Sequence, residues 1–174
     1  GTNRSQFIEG IVDKYTWVDL GSSFLPGELI AAFLYGQLEH VEKITETRVS
    51  LFNRYLDAFS DFPERFGIEL PRSRNDVGGN GHMFYLIMPS AAARTAFIAA
   101  MRDAGIGTPF HYIPLHSAPA GQRFGRVAGT MEHTDAISSR LVRLPMFFGI
   151  GQDVDRVIEA CRSVVTGSLE RQPC

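Results

Sequence analysis

A periodic apolar segment at residues 27–59 constrains the fold of this chain more than any other feature. Apolar side chains recur there at three- and four-residue steps, beginning with Ile30, Leu34 and Leu38, while charged side chains occupy the opposite side. This spacing predicts one long amphipathic helix or two helices placed end to end. Because a residue that precedes proline avoids the helical region, we expect the helix to end near residues 61–63.

The sequence after this segment changes to short apolar runs separated by turn residues. Residues 67–70 and 82–88 are predicted strands, and the second is apolar enough to be buried on both faces. A helix is expected between an N-cap at Ser90 and a C-terminal glycine at Gly105. The remaining predicted elements are an extended segment at 108–112 and helices at 134–142 and 153–165. The sequence therefore predicts an α/β fold, in which a long helix precedes a small α+β domain with helices on one face of its sheet.

The overall composition limits the partners that such a domain can have. The chain has 174 residues, of which 44% are hydrophobic and 21% charged, and this balance excludes a disordered or low-complexity chain. A formal net charge of -2 does not favour binding to nucleic acid, which requires clustered positive charge. The longest apolar runs fall far short of the ~20 residues of a membrane span. Two cysteines without a Cys-x-x-Cys spacing favour a reduced cytoplasmic setting, and no signal peptide is expected.

Two histidines and a tyrosine share a proline-stiffened segment at residues 111–116. The five-residue step between His111 and His116 is not helical ligand spacing, and no acidic residue or cysteine lies between them, so no metal site is predicted. Two interpretations stay open, a structural loop or a loop that hydrogen-bonds a polyhydroxylated ligand. His82, which precedes a predicted strand, carries the same ambiguity. Since no Gly-x-Ser-x-Gly, His-Glu-x-x-His or glycine-rich phosphate motif is present, the residues alone predict a ligand-binding domain without a complete catalytic set.

Four sequence motifs together carry a family resemblance. They are GTNRSQF at residues 1–7, VDKYTWVDLGSSFL at 12–25, HMFY at 82–85 and FHYIPLHSAPAG at 110–121. In order and spacing they resemble the C-terminal part of the DegT/StrS family of sugar-nucleotide aminotransferases, and within it the subgroup that forms dTDP-4-amino-4,6-dideoxygalactose. The resemblance implies the small domain of an aspartate-aminotransferase-like, fold type I enzyme. It also implies a homodimer whose active sites draw on both subunits.

The same resemblance implies a cofactor and a reaction. Such enzymes hold pyridoxal 5'-phosphate as a Schiff base with a lysine of a large domain, and they move an amino group from L-glutamate to the 4-keto carbon of a dTDP-linked 6-deoxyhexose. In the family that lysine precedes the motif with which this sequence opens, and neither Lys14 nor Lys43 matches its position. We therefore expect no catalytic residue among these 174 residues, a cofactor held mainly by a large domain outside them, and no independent activity.

The matching positions assign candidate binding residues. Residues 1–26 are expected to border the active site, and residues 27–174 to form the long helix and the small domain. Ser23 occupies a position where many relatives carry an asparagine that reaches the cofactor phosphate of the neighbouring subunit, and it is therefore the candidate cofactor-binding residue. Leu25 stands where relatives carry an arginine. The candidate substrate-binding residues are Asn3, Arg4, Tyr15, Trp17, His111, Tyr112 and His116.

Other classes of function stay open at this point. The chain fits a non-catalytic module, derived from the same domain, that binds a nucleotide sugar or a partner protein. It also fits a split enzyme in which another chain supplies the large domain. In each case the long helix is expected to expose more apolar surface than the few hundred Å² typical of a soluble monomer, so self-association or a covering partner is expected.

Overall fold

The computed structural model describes residues 3–14, 16, 18, 20–21, 24–72 and 79–169. The chain divides into two units, Gly1–Val41 and Glu42–Cys174, and each is described by itself. The first unit contains the helices α1 (Arg4–Ile8) and α2 (Glu28–Leu38). The predicted division at residue 26 into an active-site border and a small domain stays a prediction.

The long periodic segment forms two helices rather than one. Helix α2 ends at Leu38, and α3 (Val41–Ala58) begins after a turn in which the N–H of His40 donates to the carbonyl of Gln37 at 3.1 Å. No residue of α2 is buried, although most of its residues are apolar. In α3 the side chains of Leu51 and Tyr55 are buried.

The periodic segment ends a few residues before Pro63. Helix α3 stops at Ala58, and Pro63 lies instead in the first turn of a short helix, α4 (Phe62–Phe66), where a missing N–H costs nothing. Gly67 closes α4 with a φ of 64°, a left-handed conformation that favours glycine.

A two-stranded antiparallel sheet lies at the centre of the second unit. Strand β1 (Phe84–Ile87) pairs with β2 (Leu141–Leu144), and Phe84 lies opposite Leu144. The predicted strand at 82–88 is confirmed in its centre. The predicted strand at 67–70 contributes only an isolated bridge between Glu69 and Ile87.

The helix predicted at 134–142 is wrong at its C-terminal end. The helix itself, α7, covers Glu132–Arg140, and the next four residues form β2. Apolar periodicity does not separate the two states here, because the side chains of Leu141 and Val142 are buried by pairing with β1, a contact that local sequence does not encode.

Two longer helices complete the second unit. Helix α5 (Ala91–Asp103) has the predicted N-cap, since Ser90 Oγ accepts a hydrogen bond from the N–H of Ala93 at 3.1 Å. Gly105 follows it with a φ of 74°. Helix α8 (Asp153–Leu169) confirms the prediction at 153–165 and extends it, whereas α6 (Pro119–Phe124) was not predicted.

Aromatic side chains dominate the core of the second unit. The rings of Tyr55 and Phe84 lie 5.0 Å apart, and those of Phe59 and Phe62 lie 4.7 Å apart. Cys161 of α8 is buried in the same cluster, and burial raises the pKa of its thiol to about 12. Among the described helices none is long and apolar enough to cross a membrane.

Candidate functional site

The residues that precede the segment 111–116 are hydrogen-bonded to strand β2. Phe110 forms an isolated antiparallel bridge with Val142, and the N–H of Arg143 donates to the carbonyl of Pro109 at 2.9 Å. The extended segment predicted at 108–112 is confirmed by this bridge. Because β2 holds residues 109 and 110, the next side chain, His111, starts from a backbone position set by the core.

The far end of the segment is closed by a tight turn. The N–H groups of Ser117 and Ala118 both donate to the carbonyl of Pro114, at 3.2 and 3.1 Å. Helix α6 then packs directly against the segment at Gly121, where an added Cβ would lie 1.6 Å from the carbonyl oxygen of Leu115. Only glycine permits this approach, so the sequence of α6 fixes the path of residues 114–116.

An imidazole–carboxylate contact ties the segment to α7. Nε2 of His116 lies 2.9 Å from Oδ1 of Asp135, and the His116 side chain is mostly buried while that of Asp135 is exposed. The contact joins two residues that are 19 positions apart in the sequence. His116 therefore positions the segment, while residues 112 and 113 in its middle stay exposed to solvent.

His111 and Tyr112 face the open side of the segment. Their rings meet edge to face with centroids 5.3 Å apart. The Tyr112 side chain is 77% exposed, whereas His111 is half-buried and its Nδ1 is buried without a hydrogen-bond partner. An exposed phenol beside a half-buried imidazole is a polar pair suited to an incoming ligand.

A cavity of about 650 Å³ lies between the segment and α7. Its lining residues are His111, Tyr112, Ile113, Pro114, Leu115, His133, Thr134, Ile137, Ser138 and Leu141. Mostly apolar walls with a few hydroxyl and imidazole groups are typical of sites for small organic ligands. His111 also lines a second cavity, of about 430 Å³, together with His82 and Arg143.

The site residues predicted near the N-terminus lie in the first unit. Oδ1 of Asn3 accepts a hydrogen bond from the N–H of Thr16 at 2.7 Å, and the N–H of Asn3 donates to the carbonyl of Thr16 at 3.2 Å. Arg4 is exposed at the start of α1. The predicted residues Tyr15, Trp17 and Ser23 lie outside the described residues. Asn3 therefore braces its own segment, and its role toward a ligand stays a prediction.

The two lysines of the chain lie away from both described cavities. A pyridoxal phosphate site needs an amine for the cofactor carbonyl and several donors for its phosphate. Lys14 and Lys43 are both exposed, and neither lines the two cavities described above. No group of three or more His, Cys, Asp or Glu side chains is placed to hold a metal ion in the part of the chain that the structure describes.

Three residues of this region carry no recognisable signal in the sequence. Asp135, Ser138 and Arg143 lie within or next to a segment predicted as a single helix, and isolated residues of these types are usually solvated. Only the turn from α7 into β2 brings them to the 111–116 segment.

A comparison with known proteins identifies the family. The model of the DegT/DnrJ/EryC1/StrS aminotransferase family matches residues 4–162. The chain belongs to this family. The resemblance carried by the four sequence motifs is thereby confirmed at the level of the family. The chain spans little more than a third of the length of the curated relatives that it matches, since it covers 37% of two of them and 36% of a third.

Relatives and solved structures agree with this family membership. A dTDP-3-amino-3,4,6-trideoxy-alpha-D-glucose transaminase from Micromonospora megalomicea subsp. nigra is 30% identical over 146 residues, which cover 80% of this chain and 37% of the relative. The aminotransferase TlmJ from Streptoalloteichus hindustanus superposes with a TM-score of 0.76 at 20% identity, covering 88% of this chain and 40% of that one. A putative sugar aminotransferase, Spr1654 from Streptococcus pneumoniae in its PLP-form, gives a TM-score of 0.72 at 19% identity, covering 88% and 39%. The chain therefore has part of the fold of these aminotransferases.

Proposed function

We propose that these residues form the small domain and part of the active-site border of a pyridoxal-phosphate-dependent sugar-nucleotide aminotransferase. The amino donor is L-glutamate, and the acceptor is a dTDP-4-keto-6-deoxyhexose that becomes a dTDP-4-amino-4,6-dideoxygalactose. The observation that carries the proposal is the family match over residues 4–162, combined with the position of the segment 111–116 beside a cavity of about 650 Å³.

In this proposal the segment 111–116 binds and orients the sugar nucleotide. Tyr112 offers an exposed ring for stacking and a hydroxyl for hydrogen bonds, and His111 offers a ring nitrogen that has no partner within the described chain. His116 acts less directly, because its contact with Asp135 fixes the backbone that carries the other two side chains. Asn3, Arg4, Tyr15 and Trp17 complete the substrate site from the N-terminal segment.

Pyridoxal phosphate is the proposed cofactor of the complete enzyme, with Ser23 as one phosphate contact. When bound, this cofactor supplies the carbonyl group and the electron sink that amino-group transfer requires. Because the described residues include no lysine at a cavity, we assign no proton-transfer or covalent step to this chain. The complete enzyme is proposed to be a cytoplasmic homodimer.

A non-catalytic sugar-nucleotide-binding module is the second candidate. The observation that favours it is that the described cavities carry imidazole, hydroxyl and guanidinium groups but no lysine. Both candidates share the binding role of the 111–116 segment and differ only in whether chemistry follows.

The experiment compares two proteins: the 174-residue chain, and the polypeptide encoded by the complete open reading frame that contains it. Each is incubated with pyridoxal phosphate, 15N-labelled L-glutamate and dTDP-4-keto-6-deoxyglucose. We expect 15N-labelled aminosugar from the complete polypeptide only, and the NMR couplings of the product identify its galacto or gluco configuration. Amino transfer by the 174 residues alone contradicts the proposal. Saturable sugar binding by the complete polypeptide without any transfer supports the module instead.

A further inference from the structure

The guanidinium of Arg143 is the most unusual charge in the second unit. Arg143 lies on β2 opposite Tyr85, and its side chain is half-buried. Its Nε is buried without a hydrogen-bond partner, and its terminal nitrogens make no hydrogen bond or ion pair with any described residue. Only Nε is enclosed, so the charged end of the side chain stays accessible and is free to pair with a ligand.

Several other arginines of the same unit differ from Arg143. Arg162 makes two hydrogen bonds of 3.0 Å to the carboxylate of Asp61, and Arg140 donates to the carbonyl of Ala136 at 3.0 Å. Nε of Arg94 is also buried without a partner, but its Nη1 donates to the carbonyl of Ser138 at 3.3 Å. Arg126 makes no such bond and is exposed. Among these, only Arg143 combines partial burial with a side chain that is left unpaired.

The cavity that Arg143 lines has basic side chains and no acidic ones. It has a volume of about 430 Å³, and its lining residues are His82, Met83, Gly107, Pro109, His111, Arg143, Leu144, Pro145 and Met146. The lining contains one guanidinium, two imidazoles and no carboxylate. The Nη1 and Nη2 nitrogens of Arg143 are accessible and have no partner among the described residues, whereas its Nε and the Nδ1 of His111 are enclosed. Unpaired guanidinium nitrogens at an acid-free cavity indicate a ligand that brings acceptor oxygens.

The His82 side of the cavity is held in place by α3. Arg48 donates through Nη2 to the carbonyl of His82 at 2.6 Å and through Nε to the carbonyl of Gly81 at 3.2 Å. Gly81 has a φ of 56°, and a Cβ there would lie 2.6 Å from the Arg48 backbone, so this close packing requires glycine. The cavity wall is therefore fixed by the core helix and does not depend on a free loop.

We infer that Arg143, with His111 and His82, forms a binding site for an oxyanion, either a carboxylate or a phosphate. A planar guanidinium on the cavity wall matches the paired oxygens of both groups. Nδ1 of His82 lies 3.0 Å from Oδ1 of Asn80, so His82 donates to the anion through Nε2 only when its imidazole is protonated, while neutral His111 can donate through one ring nitrogen. The volume admits more than the anion itself, so the site takes the charged end of a larger molecule. The inference needs only the second unit and holds whether or not amino transfer occurs. Only the choice of probes below rests on the proposed function.

The test is an NMR titration of the 15N-labelled 174-residue chain with four probes: inorganic phosphate, thymidine diphosphate, L-glutamate and the uncharged nucleoside thymidine. We expect saturable shifts at residues 107–111 and 143–146 with at least one of the anions and none with thymidine. Saturation by phosphate and thymidine diphosphate identifies a diphosphate as the source of the anion. Saturation by L-glutamate identifies a carboxylate.

Three variants assign the binding to Arg143. Arg143→Gln, which keeps a polar chain but removes the charge, is expected to weaken anion binding at least tenfold. Arg143→Lys is expected to recover part of it, and the exposed control Arg126→Ala to change it less than twofold. If no anion saturates the shifts below 10 mM, or if Arg126→Ala weakens binding as much as Arg143→Gln, the inference is overturned. If the complete polypeptide transfers no amino group but the anion still binds at Arg143, only the proposed function is overturned.

Discussion

The imidazole of His116 lies 2.9 Å from the carboxylate of Asp135, and this contact ties the segment 111–116 to α7. We predict that Asp135→Asn loosens the segment without unfolding the domain, because a pair whose carboxylate is exposed to solvent contributes only about 0.2–1 kcal/mol. Hydrogen exchange at the amides of Ser117 and Ala118, which close the turn onto Pro114, should become roughly two- to fivefold faster.

The matched control for this prediction is Glu132→Gln. Glu132 lies in the first turn of the same helix, is exposed and makes no hydrogen bond or ion pair with a described residue. The Glu132→Gln substitution removes one negative charge from α7, as Asp135→Asn does, but should leave the exchange rates at Ser117 and Ala118 unchanged. Equal acceleration in both variants would mean that helix charge, and not the contact with His116, controls the segment.

Gly121 gives a second prediction about the same segment. A methyl group at this position would lie 1.6 Å from the carbonyl oxygen of Leu115, a backbone atom that no rotamer change can move away. We expect Gly121→Ala to cost about 1–3 kcal/mol and to displace α6, seen as lost exchange protection at Gln122 and altered shifts from 111 to 118. Gly167→Ala in α8, where a Cβ meets nothing within 4 Å, is the control and should be neutral or slightly stabilising.

Local sequence chemistry was sufficient to predict the elements that carry their own signals. The Ser90 cap, the glycine after α5 and the end of α3 before Pro63 depend on residues close in sequence. Strand β1 was evident from its continuous apolar run, although its partner strand is distant in sequence. The family was likewise evident from four short motifs, because family motifs are themselves local in sequence.

The predictions that failed concern long-range pairing. The first two residues of β2, Leu141 and Val142, are predicted as the end of a helix, because the pairing that buries them is with β1, more than 50 positions earlier. Arg143 and Asp135 carry no local signal for the same reason, since their environments depend on where β2 and α7 place them. The roles of Tyr15, Trp17 and Ser23 stay predictions, as they lie outside the described residues.

A third prediction concerns acid stability through Asp61 and Arg162. Two hydrogen bonds from the Arg162 guanidinium lower the pKa of Asp61 from 3.8 to about 2. Because the folded-state pKa is the lower one, this pair stabilises the fold above pH 3.8, and the contribution disappears as the pH falls to about 2. Solvent screening at this partly exposed site limits the effect to roughly 1 kcal/mol.

The measurement is the free energy of unfolding by urea between pH 7 and pH 2. Asp61→Asn should be about 1 kcal/mol less stable than the parent at pH 7, and the difference should shrink toward zero near pH 2. Asp103→Asn, at the exposed end of α5, serves as the control and should be no less stable than the parent at pH 7. A constant deficit for Asp61→Asn at every pH would show that packing, and not the charge, is responsible.

The last prediction follows from the composition of α2. A helix that is apolar on nearly all sides is normally buried, yet in α2 Leu29 is 89% and Phe33 is 73% exposed. We predict that the 174-residue chain self-associates through this helix, so that its mass measured by light scattering rises with concentration. Replacing Leu29 and Phe33 together by glutamate should shift the midpoint of association upward by tenfold or more, because charges on a contact face must be desolvated. The control Val127→Glu replaces an apolar residue that is 51% exposed in the second unit and should leave the midpoint unchanged. A monomer at all concentrations, or an equal effect of the control, would contradict an interface on α2.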